Sequence, residues 1–150
     1  MSQLELDHAM LRNLYSRYCF ALDYGTTAEL LDCFTEDGLF SLSDRGDFVG
    51  HEQIAVLIDA SAESRNRHQI MNVLIDSVDG DSAETRGYFV LLRTKDAETM
   101  SYGHYVDSAV RCADGVWRWT AKRIHFDWRH GAYSQRSEAQ HVDQLIPNDR

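Results

Sequence analysis

Proline occurs once, at position 147, and cysteine only three times in a chain of 150 residues. Cys19, Cys33 and Cys112 are odd in number, widely spaced and free of any Cys-x-x-Cys, which argues against a disulfide framework or a zinc ribbon. Cys19 and Cys33 fall on apolar helix stripes and read as small buried fillers. No apolar run approaches the ~20 residues of a membrane-spanning helix. The stretch from Met1 to Asp7 lacks the basic and apolar regions of a signal peptide, so a cytoplasmic protein with no membrane partner is expected. Positive charge is scarce: 15 Lys and Arg against 24 Asp and Glu leave a formal charge of −9. A phosphate backbone has to be met by clustered Lys and Arg, and without such a cluster no nucleic-acid partner is expected. There is no Gly-rich phosphate loop, nucleophile elbow or His-Glu-x-x-His. His125, Asp127 and His130 imitate a metal site, yet no further ligand spacing supports one. Neither a metal nor another cofactor is expected.

What is present is enough for one core. A chain of this length buries about 68–70% of its unfolded surface, and hydrophobic residues make up 43% of it. One domain over 1–130 is expected, followed by a Ser-, Gln- and Asp-rich polar tail over 131–150. Helical patterns come first and strand patterns later, the order of an α+β fold. Thr26-x-x-Glu29 has the form of a capping box and predicts a short second helix over 28–34, broken at Gly38. A hairpin is predicted from 39–42 and 47–49, then a third helix carrying Ile54, Leu57, Ile58 and Ala62 toward the sheet. Four strands follow, at about 67–78, 82–94, 98–112 and 116–129. The Asp-Gly turns between them favour antiparallel hairpins because glycine tolerates positive φ. Apolar groups, among them Trp117, Trp119 and Trp128, fall on both sheet faces. One face is therefore expected under helices and the other against a second subunit, in a homodimer or homotrimer.

The most informative segment is the aromatic first helix. Leu4, Leu11, Leu14, Tyr15, Tyr18, Cys19 and Leu22 recur at helical spacing, and Asp23 falls at the edge of that stripe, just before Tyr24 and Gly25. An acid in the last turn faces the negative end of the macrodipole, an unfavourable placement of roughly 0.3–1 kcal/mol. Such a local rule break often marks a functional position. Downstream, period-two alternation puts His68, Ile70, Asn72, Leu74 and Asp76 on one strand face, a candidate pocket wall. From the residues alone Asp23 reads equally as a helix-end surface acid and His68 as a polar residue at a strand start. His104, flanked by Tyr102 and Val106, is either a second pocket imidazole or a structural one.

The helix ending at Asp23, the segment from Ala28 into Phe40, the helix after Gly50, the His68-x-x-x-Asn72 strand and the closing strand from Asp114 to Arg123 resemble, in order and spacing, the SnoaL-like branch of the nuclear-transport-factor-2-like superfamily. That group includes scytalone dehydratase, hexachlorocyclohexane dehydrochlorinase and bile-acid dehydratases, and the resemblance spans roughly residues 5 to 129. It implies a cone-shaped curved antiparallel or mixed sheet with three helices on its concave face, the cystatin-like fold. It also implies an Asp23–His68 dyad, with His68 the base and Asp23 its orienter, and a cofactor-free lyase (dehydratase) or isomerase acting on an apolar, oxygenated small molecule. Arg123 matches an arginine that steadies developing negative charge in the dehydrochlorinase, and reads equally as a solvated strand residue. Tyr18 stands where that enzyme carries a lysine, a departure that argues against chloride loss; Tyr18 and Tyr24 are instead expected to hydrogen-bond substrate oxygens. The same resemblance extends to noncatalytic small (beta) subunits of ring-hydroxylating dioxygenases and to small-molecule-binding proteins of this fold.

Overall fold

The computed structural model describes residues 2–59 and 66–130; Ala62 and the tail over 131–150 lie outside the described residues. Helix α1 (Gln3–Tyr24) starts at a Ser2–Glu5 capping box, which satisfies N–H groups that have no partner inside the helix. One buried face, Leu11, Leu14, Tyr15, Tyr18 and Ala21, lies against the sheet. Asp7, also on that face, is pinned by Arg111 at 3.0 Å, Trp117 Nε1 at 3.3 Å and Gln3 at 2.9 Å. These bonds tie the start of the helix to the far end of the sheet, leaving its C-terminal end to meet the other side.

Helix α2 (Thr27–Leu31) is capped by Thr26 and Glu29 as expected, but it stops earlier than its apolar pattern predicts. Phe34 instead opens β1 (Phe34–Leu42). The reason is sheet pairing: Trp119 donates its backbone N–H to the Cys33 carbonyl at 2.8 Å, and Phe34 lies beside Trp119 in a parallel ladder. Both apolar residues are thus drawn into the core as strand. A turn leads to β2 (Gly46–Val49) and then to α3 (Gly50–Asp59). Four long strands complete the sheet: β3 (Asn66–Asp79), β4 (Ser82–Arg93), β5 (Thr99–Arg111) and β6 (Trp117–Arg129).

The order across this curved, open, six-stranded sheet is β2-β1-β6-β5-β4-β3. Every pairing is antiparallel except β1 with β6, so the sheet is mixed. The register shifts at several points, and two of these shifts bear most directly on which residues face inward. In β3 the register slips between Met71 and Leu74, with Asn72 at φ 53°. In β6 it slips between Trp119 and Ala121. A bulge inserts one residue, and with a side-chain period of two that reverses the parity of everything after it.

Gly103 in β5 sits where the β6 backbone leaves no room for a side chain. A Cβ placed there would lie 1.9 Å from the His125 carbonyl oxygen. Gly103→Ala should therefore force β5 and β6 apart and cost at least the roughly 1–3 kcal/mol typical of overpacking, read as a lower midpoint in urea denaturation. A midpoint equal to wild type would mean that this tight fit is not required by the sheet.

Candidate active site

The last turn of α1 delivers Asp23 to the start of β3. Its Oδ1 lies 2.6 Å from His68 Nδ1, and its Oδ2 accepts the His68 backbone N–H at 2.9 Å. The carboxylate side chain is only 4% exposed and the imidazole 20%. An ionised carboxylate can only accept, so the Nδ1 facing it carries the proton, and in the neutral ring the lone pair is then on Nε2. Arg67 stands behind, its Nε 3.9 Å from Asp23 Oδ2.

The two residues lie in the wall of a cavity of about 530 Å³ between the helices and the inner sheet face. Tyr18, Phe40, Phe89, Tyr105 and Phe126 supply aromatic walls, with Leu22, Leu57 and Ile124 between them. Ser101, Arg45 and Arg129 bring polarity to the opposite side. Tyr18 stands beside the imidazole, with ring centroids 6.4 Å apart, and Tyr105 stands 6.3 Å beyond it. Burial pushes both phenols well above their ordinary pKa. They remain protonated donors at neutral pH. The thiols are similarly silenced: burial raises Cys19 to about 12 and Cys33 to about 11, so neither supplies a thiolate nucleophile.

Four expected binding residues are not among those lining this cavity. Tyr24 is 65% exposed on the outer side of α1, where it contacts the Arg67 guanidinium; at the helix end its direction differs from that of Asp23 by one residue, about 100°. Asn72 is the bulged residue of β3, so the inward set runs His68, Ile70, Val73, Ile75, while Leu74 and Asp76 turn outward. His104 is buried on the outer sheet face, stacked on His125 with centroids 4.9 Å apart, its Nδ1 3.5 Å from Asp127. Arg123 follows the β6 bulge and pairs with Val106 in an outward row. No group of three potential metal ligands occurs among the described residues.

The same bulge turns Lys122 inward, a residue that strand alternation places outside. It is fully buried, and its ammonium lies 2.8 Å from Asp107, also fully buried. The rings of Tyr15, Tyr18, Tyr105 and Trp119 surround the ammonium at 3.7–4.7 Å to their centroids. Asp107 further accepts from Tyr15 at 2.8 Å and from the Arg123 backbone at 3.0 Å. Burial pushes the Asp107 carboxyl up and the Lys122 amine down, each toward its neutral form. Their contact, the ring faces and the donors around Asp107 act in the opposite sense. The cluster lies directly beneath the two tyrosines of the cavity. Only the scarcity of lysine, two in the chain, could have drawn attention to it.

Comparison with known proteins bears on this arrangement. The SnoaL-like domain profile matches residues 4–123. A protein of unknown function from Mycobacterium tuberculosis is 28% identical, with a TM-score of 0.77, covering 85% of this chain and 77% of that one. An aromatic ring hydroxylase-like protein from Novosphingobium aromaticivorans is 27% identical, with a TM-score of 0.72 over 84% of this chain and 92% of its own. From the same organism, an NTF2-like protein with a cystatin-like fold has a TM-score of 0.75 at 24% identity, covering 83% and 84%, which speaks to the fold alone. No curated protein sequence matches. No helix among the described residues is long and apolar enough to cross a membrane.

Proposed function

Because this chain belongs to the SnoaL-like domain family, we propose that it is a cofactor-free lyase or isomerase whose Asp23–His68 dyad takes a proton from an apolar, oxygenated small molecule. The observation that carries this reading is the 2.6 Å contact between Asp23 and His68 in the wall of an aromatic cavity. With Nδ1–H held by the carboxylate, Nε2 takes a proton from carbon beside a carbonyl or similarly activated centre. The C–H electron pair forms the new double bond. In a dehydration the bond to the neighbouring hydroxyl breaks, and the imidazolium returns its proton to the departing oxygen as water. In an isomerisation the proton returns to carbon instead. Tyr18 donates to the oxygen on which negative charge grows, an interaction strongest in the transition state.

The test is a screen of hydroxylated steroids, terpenoids and polyketide-like aromatics for water loss or double-bond migration, with exchange of solvent deuterium into carbon as the most sensitive readout. Exchange that requires the protein and survives chelation is the expected result; ligands that bind without exchange would leave a carrier. The ring hydroxylase-like neighbour at 27% identity favours a second reading, a noncatalytic small subunit of an oxygenase. Copurification with a large oxygenase subunit, and no exchange, would select it.

We also propose a homodimer or homotrimer built through the outer sheet face. Met71, Leu74, Tyr88, Tyr102 and Val106 all point outward there and are 38–56% exposed. Sedimentation at micromolar concentration should show an oligomer that Tyr88→Glu with Tyr102→Glu reduces to monomer. A wild-type monomer would remove the proposal.

A further inference from the structure

Pairing across the sheet sets His68 opposite Leu91, Leu91 opposite Ser101, and Ser101 opposite Arg129, so these four form one inward row along the cavity wall. Ser101 stands two strands from the imidazole, roughly 9–10 Å at the backbone. It is 1% exposed, and its Oγ is buried with no hydrogen-bond partner. Buried polar atoms in folded proteins are nearly always satisfied, and an orphan hydroxyl calls for an explanation. The adjoining Arg129 guanidinium, which pairs with Asp44 and lies 4.7 Å over the Phe126 ring, adds donors to the same end of the cavity. Both groups offer hydrogens. The guanidinium already has the Asp44 carboxylate, whereas the Ser101 hydroxyl has no acceptor.

We infer that Ser101 is a substrate-binding residue that donates, after a turn about its single side-chain torsion, to an acceptor oxygen on the part of the substrate farthest from His68. The substrate class is then a fused-ring molecule with two oxygen functions, one beside the carbon that loses its proton and within reach of Tyr18, the other at the distal ring. Two strand spacings at the backbone exceed the span of a single six-membered ring, and the aromatic walls of the cavity suit a flat apolar body. The placement of the reacting end rests on His68 being the base; the distal contact does not depend on turnover.

Two probes differing at one group separate these points: 6-acetyl-1-tetralone, with a distal acceptor, and 6-isopropyl-1-tetralone, of similar shape without one. Calorimetric titration of the wild-type protein should show the acetyl ketone binding roughly tenfold more tightly, the scale of one buried hydrogen bond. Ser101→Ala should erase that gap while leaving the isopropyl ketone's affinity unchanged or improved. The variant removes a hydroxyl that has no partner, so its folding should not suffer. Equal affinities in wild type, a gap that survives in Ser101→Ala, or no binding of either ketone at millimolar concentration would overturn the inference. Deuterium exchange at the carbon next to the ring ketone, compared between wild type and His68→Ala, reads the base separately. Equal affinities in wild type, or a gap that survives Ser101→Ala, with intact exchange sinks only the Ser101 assignment, and a Ser101-dependent gap without exchange sinks only the catalytic reading.

Discussion

His68→Ala should lower turnover by roughly 10²–10⁴-fold, the span usual for removing a positioned general base, while affinity for apolar ligands stays close to wild type. The two effects separate because affinity comes from the aromatic walls and proton transfer from one nitrogen. Folding should survive the change: the imidazole is one-fifth exposed, and the backbone N–H at position 68 remains to satisfy one Asp23 oxygen. Asp23→Asn should also impair turnover, since the amide puts an NH2 donor in place of one of the two oxygens that accept the ring and backbone hydrogens and so orients the imidazole less well. Single-turnover deuterium exchange on any substrate found would measure both variants. Wild-type rates in both would end the dyad mechanism.

Lys122→Met should be the most damaging single change to stability. It strands the Asp107 carboxylate in a fully buried site, and breaking a buried pair from one side typically costs about 3–5 kcal/mol. For a chain of this size that corresponds to a fall in Tm of roughly 6–20 °C. The double variant Lys122→Met with Asp107→Asn should recover a large part of the loss, because no unpaired charge is left and the amide still accepts from Tyr15 or the Arg123 backbone. Calorimetry of the three variants would check this. If the single change costs no more than an ordinary surface substitution, the pair is not ionised in the folded protein.

The elements themselves were legible because their signals are local. A capping box, Asp-Gly turns and strand composition place α2 and the four long strands to within a few residues, whereas the pairing of Asp23 with His68 was legible only through the family resemblance. The inward faces of β3 and β6 were not legible. Each depends on inserted residues, at Asn72 and between Ile75 and Ser77 in β3, and between Trp119 and Ala121 and between Phe126 and Trp128 in β6, and nothing in composition distinguishes a bulged position from its neighbours. These one-residue slips turn Arg123 outward and Lys122 inward, and remove Asn72 and Leu74 from the cavity side. Phe34 was read as helix because its apolar spacing fits one, whereas a partner more than eighty positions away decides it. Ser101 gave no signal at all, since a serine in a strand is ordinary until its neighbours across the sheet are known.

Asp23 grips both the ring and the main chain of a single residue. The atom pair that would set the chemistry therefore also fastens the beginning of β3, and selection for folding and selection for activity converge on one carboxylate. Replacing the imidazole would leave the acid its hold on the main chain of β3, whereas replacing the acid would loosen the ring and the strand together.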